Sequence, residues 1–123
     1  MKKLLVLLFL LAQFPANAAD KYTNFSVESL EKAKAAGKTL VINSYEPWCW
    51  SCRKQGKVLL DAKEKFKNVV FLTYQQGKNK DIAKVLEINF RSTIVVFKGK
   101  KEIARLVGQT DKSQIFSAIK KGI

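Results

Sequence analysis

Cys49 and Cys52 are the only two cysteines in the 123-residue chain, and their setting constrains the fold more than any other feature. Before them, Thr39-Leu-Val-Ile-Asn-Ser-Tyr45 is a nearly continuous apolar run with β-branched residues, the pattern of a buried strand. Pro47 halts it. After them, Val58, Leu59, Ala62 and Phe66 recur at helical spacing, so a long helix is predicted from near Cys49 to Phe66. Gly56 lies inside that helix and is expected to weaken or bend it. A disulfide stabilises most when it closes a long loop, and a Cys-x-x-Cys bridge closes almost none. The pair is therefore poorly placed as a staple and well placed as a reversible redox couple.

The remaining elements follow from periodicity and breakers. Ser26 can cap a helix through Val27, Leu30, Ala33 and Lys34, ended by Gly37. Val69 to Tyr74 reads as a second buried strand. A polar loop, Gln75 to Lys80, leads to a short helix, Asp81 to Glu87, with Ile82, Val85 and Leu86 inward. Ile88 to Ser92 is a connector, and Thr93 to Phe97 a third strand. Lys98-Gly-Lys-Lys101 is a hairpin turn into a fourth strand, Glu102 to Val107, broken by Gly108. Thr110 or Asp111 starts a last helix with Ile115, Phe116 and Ile119 on one face. Strands separated by helices imply parallel pairing, and the closing hairpin is antiparallel. The expected architecture is α/β: a mixed sheet of about four strands flanked by helices on both faces.

The amino-terminal stretch reads differently. Lys2 and Lys3 precede an apolar run, Leu4 to Phe14, broken only by Gln13, and then Ala16-Asn17-Ala18. This is the pattern of a secretory signal peptide over residues 1–18, cut after Ala18, leaving one domain over residues 19–123 in the periplasm. The run is about half the roughly 20 residues a spanning helix needs, so no stable membrane span is expected. Cleavage removes two lysines, and the formal charge falls from +13 to +11. The remaining lysines are spread from Lys21 to Lys121 without a dense run, which argues against nucleic acid as a partner. A basic surface of this kind is solvated and steers toward acidic redox partners or an anionic membrane face.

Chemistry concentrates in Trp48-Cys49-Trp50-Ser51-Cys52-Arg53-Lys54. A cysteine at a helix N-terminus meets free backbone N–H groups and the positive end of the macrodipole, both of which favour an anion. Its thiol becomes more acidic, and the thiolate is the attacking species. Cys49 is assigned as the nucleophile and Cys52, one turn later, as the resolving thiol. The assignment requires the Cys49 sulfur to be ionised and reachable. A structural zinc site takes four ligands, and the chain has no other cysteine and no histidine, so neither a metal nor another cofactor is expected. Trp48 is expected chiefly to pack, and Trp50, between the cysteines, to contact a substrate.

The Thr39–Tyr45 strand running into Trp48-Cys-x-x-Cys-Arg, together with Ser92-Thr-Ile-Val-Val-Phe-Lys-Gly-Lys-Lys-Glu-Ile-Ala-Arg-Leu-Val-Gly108, resembles the thioredoxin superfamily over roughly residues 26–121. The resemblance implies a thioredoxin-like fold and dithiol–disulfide exchange with protein disulfide or thiol substrates. In an exported member it implies work on periplasmic disulfides with electrons from a membrane donor. Strong oxidants of this fold usually carry a histidine between the cysteines, where this chain has Trp50-Ser51, so reduction is the expected direction. Cytochrome c maturation and repair of wrongly oxidised proteins are uses of that kind.

Three positions depart from the family pattern. Ser92, between Arg91 and Thr93, stands where thioredoxins have a cis-proline facing the cysteines, and a Ser–Thr peptide bond is expected to be trans. A substrate groove formed by Trp48, Trp50, Arg91, Ser92 and Thr93 is expected, with an exposed Ser92 hydroxyl beside the thiols. The family's proline is thought to keep metals off the thiols, so metal or iron–sulfur binding stands as an alternative reading. Asn43 replaces a buried aspartate that accepts a proton from the second cysteine; Glu46 is a candidate substitute. Lys57, after Gly56, replaces the proline that bends the active-site helix. The missing proline and aspartate also support a further alternative, a non-catalytic binding module.

Overall fold

Four helices and four strands follow one another in the order α-β-α-β-α-β-β-α along residues 25–123, the part of the chain that the computed structural model describes. The expected signal peptide, its cleavage point and the start of the domain at residue 19 lie outside the described residues. Helix α1 spans Val27–Ala35 and opens on a reciprocal cap: the Ser29 N–H donates to Ser26 Oγ and the Ser26 N–H to Ser29 Oγ. Strand β1 is Thr39–Tyr45. Helix α2, Trp50–Lys65, runs unbroken through Gly56, where a Cβ would meet nothing within 4 Å. Strand β2 is Val70–Gln75, and α3 is a short helix, Lys80–Val85. Strands β3, Thr93–Lys98, and β4, Lys101–Val107, form the hairpin. Helix α4, Lys112–Lys120, starts on Asp111, whose carboxylate accepts the Gln114 N–H.

The sheet order is β2-β1-β3-β4. Strands β1 and β2 are parallel, with Ile42 opposite Leu72. The pairing of β1 with β3 is antiparallel, with Ile42 opposite Val95, and so is β3 with β4. This corrects the expectation that helix-separated strands run parallel. A parallel return needs a crossover of about a dozen or more residues. Helix α2, with 16 residues, supplies one between β1 and β2. Between β2 and β3 the 76–92 connection has 17 residues, enough for a crossover, but its helix α3 has six, a rise of about 9 Å, and the connection stays at one end of the sheet. Strand β3 therefore begins near the end where β1 and β2 finish, with Asn43 opposite Ile94, and runs back antiparallel.

The two faces of the sheet carry separate cores, as the period of two along each strand requires. Leu40, Ile42, Leu72, Tyr74, Val95 and Phe97 pack with Leu30 of α1 and with Ile82, Leu86 and Ile88 around α3. Val41, Ile94 and Val96 pack on the other face with Leu59 and Ala62 of α2 and Ile115, Ala118 and Ile119 of α4. Each fully buried aliphatic side chain contributes about 1.5–3 kcal/mol relative to exposure. Val85, expected to face inward, is exposed. Its position lies about 100° round the helix from the centre of the Ile82, Ala83 and Leu86 stripe, and Ala83 fills the place instead. The carbonyls that α3 leaves free, Leu86 and Glu87, accept from the Arg105 guanidinium of β4 at 2.8 and 3.0 Å.

Candidate active site

Cys49 is the N-cap of α2, and its sulfur accepts the Cys52 N–H at 3.2 Å. No acidic residue stands in the first turn of α2 to offset the helix's positive end. Cys49 and Cys52 are joined by a disulfide, with their Cα atoms 5.2 Å apart. With Tyr45 they form a small buried cluster, separate from the two main cores. Cys49 is 3% exposed and Cys52 0%, so the outside reaches the pair only at Cys49. The opening is narrower than a helix-tip position alone suggests. The Cys52 sulfur lies 4.0 Å from the Ser44 carbonyl, within reach of a thiol hydrogen once the bridge is reduced.

The aromatic residues flank the opening. Trp50 is exposed, as expected for a contact residue, and Lys54 Nζ sits 4.4 Å from its ring centre. Trp48 is 66% exposed, which corrects the expectation that it packs: the chain after β1 carries it outside the sheet. The Arg91 guanidinium stacks over it at 4.3 Å. Phe90, exposed as well, stands next to Arg91. Two cation–aromatic pairs thus border the cysteines.

Ser92 and Thr93 do not line the groove surface. Ser92 is 4% exposed, so the hydroxyl expected at the surface is buried. It donates to Ser51 Oγ at 2.7 Å, and Ser51 Oγ lies 3.4 Å from the Cys49 sulfur. Ser92 has a left-handed backbone, φ +65°, and no peptide bond among the described residues is cis. Its N–H donates to the Ser44 carbonyl at 2.9 Å. Thr93 turns inward: its hydroxyl donates to the Phe90 carbonyl at 2.7 Å and its N–H to Ser44 Oγ at 3.0 Å. Ser44 Oγ in turn donates to the Phe90 carbonyl at 2.8 Å. One serine of β1 therefore fastens the 90–93 segment.

Beneath the helix, Asn43 and Gln55 form a buried amide pair. Asn43 Nδ2 donates to Gln55 Oε1 at 3.0 Å and lies 3.3 Å from the Thr93 carbonyl. Gln55 Nε2 donates to the carbonyls of Ser92, at 2.9 Å, and Gln109, at 2.8 Å. Glu46 is buried but engaged elsewhere: its carboxylate accepts the Gly77 N–H at 2.6 Å and Gln75 Nε2 at 3.0 Å. Those bonds make it a clasp on the β2–α3 loop, and no hydrogen bond among the described residues joins it to Cys52. A Cβ on Gly77 would come within 2.8 Å of Glu46 Oε1, so a larger residue there would make the carboxylate shift. Among the described residues, no group of three or more histidine, cysteine, aspartate or glutamate side chains could hold a metal ion.

Sequence reasoning missed Ser44, Gln55 and Phe90. Gln55 was detectable, because Cys52, Gln55, Leu59 and Ala62 share one helical stripe and a polar residue on a buried stripe needs a partner. Ser44 gave a weaker signal, as the second of two adjacent polar residues after the apolar run Leu40–Ile42.

The thioredoxin family's sequence profile matches residues 19–121. An H-type thioredoxin of Fagopyrum esculentum is 31% identical over 81 residues, covering 66% of this chain and 70% of the relative. Thioredoxin-2 of Saccharomyces cerevisiae is 26% identical over 84 residues, covering 68% and 81%. Among solved structures, oxidised mitochondrial thioredoxin 3 of Saccharomyces cerevisiae superposes with a TM-score of 0.74 at 22% identity, covering 85% of this chain and 98% of its own. The Edwardsiella tarda protein Trxlp gives 0.73 at 18% identity, covering 77% and 94%. At such identities these two likenesses concern the fold. With the fold, the cysteine pair and the sequence profile in agreement, the chain belongs to the thioredoxin family and is a thiol–disulfide oxidoreductase with a Cys49–Cys52 disulfide.

Proposed function

We propose that this chain is an exported, periplasmic disulfide reductase in which Cys49 is the nucleophile and Cys52 the resolving thiol. The carrying observation is the Cys49 sulfur at the α2 N-cap, accepting the Cys52 N–H, with Cys52 enclosed one turn behind it. In the reduced protein the Cys49 thiolate attacks one sulfur of a substrate disulfide. The substrate S–S bond breaks, and its leaving sulfur departs as a thiolate that takes a proton from water. The Cys52 thiol loses its proton to water, and the thiolate attacks the Cys49 sulfur, breaking its bond to the substrate; the second substrate sulfur leaves as a thiolate that takes up a proton from water, and the Cys49–Cys52 bridge closes. Two electrons pass to the substrate, and a membrane dithiol donor returns them by the same exchange in reverse. Trp48, Trp50 and Arg91 form the rim that a substrate chain meets.

Insulin reduction with dithiothreitol as electron source tests the reading. Wild type is expected to turn over, Cys49→Ser to lose turnover, and Cys52→Ser to stall as a covalent mixed disulfide. Turnover retained in Cys49→Ser overturns the assignment, and no turnover in wild type favours a binding module. Export is tested separately, by amino-terminal sequencing of the protein recovered from the periplasmic fraction. A chain beginning at Ala19 is expected, and an intact Met1 in the cytoplasmic fraction refutes export.

A further inference from the structure

The hydrogen bonds reaching the Cys49 sulfur extend beyond the helix that it caps. Ser51 Oγ is 3.4 Å from that sulfur, and Ser92 Oγ donates to Ser51 Oγ at 2.7 Å. Each hydroxyl has one hydrogen. Ser92 spends its own on Ser51, which leaves the Ser51 hydrogen free to point at sulfur. A thiolate only accepts, so ionisation of Cys49 aligns the row in one direction: Ser92 to Ser51 to sulfur. The Cys52 N–H, at 3.2 Å, is a second donor to the same atom. Hydrogen bonds in such a row polarise one another, and a buried setting strengthens them.

The far end of the row is held firmly. The Ser92 N–H donates to the Ser44 carbonyl of β1 at 2.9 Å. The Ser92 carbonyl accepts the Gly108 N–H at 2.8 Å and Gln55 Nε2 at 2.9 Å. Three elements thus fix Ser92 in a left-handed conformation that costs most residues free energy. Proline has neither a backbone N–H nor a hydroxyl, so neither the bond to Ser44 nor the one to Ser51 could form with proline in this place.

We propose that Ser51 and Ser92 form a hydroxyl relay that stabilises the Cys49 thiolate, Ser51 by direct contact and Ser92 as a positioning residue acting through it. The inference rests on Cys49 being the nucleophile. The proton lost on ionisation goes to solvent, and the serine protons stay on their own oxygens. Other ionisable groups around the sulfur are Tyr45 and Cys52 in its buried cluster, Glu46 on the β1–α2 connection, Arg53 and Lys54 in the first turns of α2, and Arg91 on the approach to β3. The serines are neutral, so substituting them leaves every one of these charges in place.

The test follows thiolate absorbance at 240 nm against pH in reduced protein, together with the rate of iodoacetamide alkylation and the glutathione equilibrium. Ser51→Ala is expected to raise the Cys49 pKa by about one unit and slow alkylation below it by up to about tenfold. The dithiol–disulfide equilibrium should move toward the disulfide, because the reduced form has lost a stabilising bond. Ser51→Thr keeps the hydroxyl and should retain the wild-type pKa. Ser92→Ala should shift the pKa in the same direction by less, and Ser51→Ala/Ser92→Ala no further than Ser51→Ala alone. Ser92→Gly, which accepts the left-handed backbone, serves if Ser92→Ala does not fold. An unchanged pKa in folded Ser92→Ala or Ser92→Gly, or additive shifts in the double variant, overturns the relay. If wild-type Cys49 alkylates no faster than an ordinary thiol at neutral pH, the nucleophile assignment fails and the relay with it. Fast wild-type alkylation with unmoved variants sinks the relay alone.

Discussion

Asn43 of β1 and Gln55 of α2 meet through a buried hydrogen bond, Asn43 Nδ2 donating to Gln55 Oε1 at 3.0 Å. Because Gln55 also holds the Ser92 and Gln109 carbonyls, this pair joins the strand before the cysteines, the helix that they open and two neighbouring loops. In Gln55→Leu, the Gln109 carbonyl loses its partner, while the Ser92 carbonyl keeps the Gly108 N–H and Asn43 Nδ2 keeps the Thr93 carbonyl. Leaving one buried group unsatisfied and weakening two others costs roughly 1–3 kcal/mol, so a loss of about 2 kcal/mol is expected. The urea midpoint measures it, and a loss under about 0.5 kcal/mol would show the network to be unimportant.

Asn43→Asp restores the family's residue but not its surroundings. The new carboxyl would face two acceptors, Gln55 Oε1 and the Thr93 carbonyl, at a position 2% exposed. Burial and facing acceptors both disfavour its charged form, so its folded pKa is expected above the unfolded value of about 3.9. A raised pKa means relative stability kept at low pH and lost as pH rises through the folded pKa. Urea midpoints of the variant relative to wild type should therefore be further apart at pH 8 than at pH 5, and a constant gap contradicts this account.

Glu46 is predicted to act on the loop rather than on the chemistry. Glu46→Ala frees the Gly77 N–H and Gln75 Nε2, at an expected cost of about 1–3 kcal/mol. Amide exchange at Gly77 should accelerate, while insulin turnover changes less than about threefold, an estimate that follows from the absence of a bond to Cys52. A tenfold loss of turnover in folded protein would restore Glu46 as a proton acceptor.

The basic rim should show in substrate preference. Arg53, Lys54 and Arg91 surround the cysteine pair, and the whole chain carries +13. Reduction of a disulfide peptide with acidic flanks is expected to exceed that of a neutral one and to fall with added salt as charges are screened. Arg91→Ala should reduce kcat/KM for the acidic peptide several-fold, by losing both the charge and the stack on Trp48. Equal losses for acidic and neutral peptides would leave only the stacking role.

Burial pushes the Tyr74 phenol well above its ordinary pKa, with the nearby Arg105 charge opposing the effect. A raised folded pKa gives stability that is whole below the unfolded value of about 10 and lost as pH climbs past it. Wild type should weaken in urea above about pH 10 more steeply than Tyr74→Phe, which has no proton to lose. Parallel pH profiles would assign the alkaline loss to other groups.

The sequence by itself determined the elements and the chemistry they carry. Apolar runs marked the strands, Ser26 and Asp111 marked helix starts, and the strand–Cys-x-x-Cys–helix order identified a redox pair, because each signal is local and repeats at the period of its own element. Only the tertiary structure decided how β3 runs, since the 76–92 connection is long enough for either direction. It also decided what the polar substitutions do. Asn43, Gln55, Ser51 and Ser92 are separated by up to 49 positions, and nothing in their spacing announces a shared network. A hydrogen bond is recognised by distance and direction in space, so partners far apart in the chain become visible only when packing brings them together.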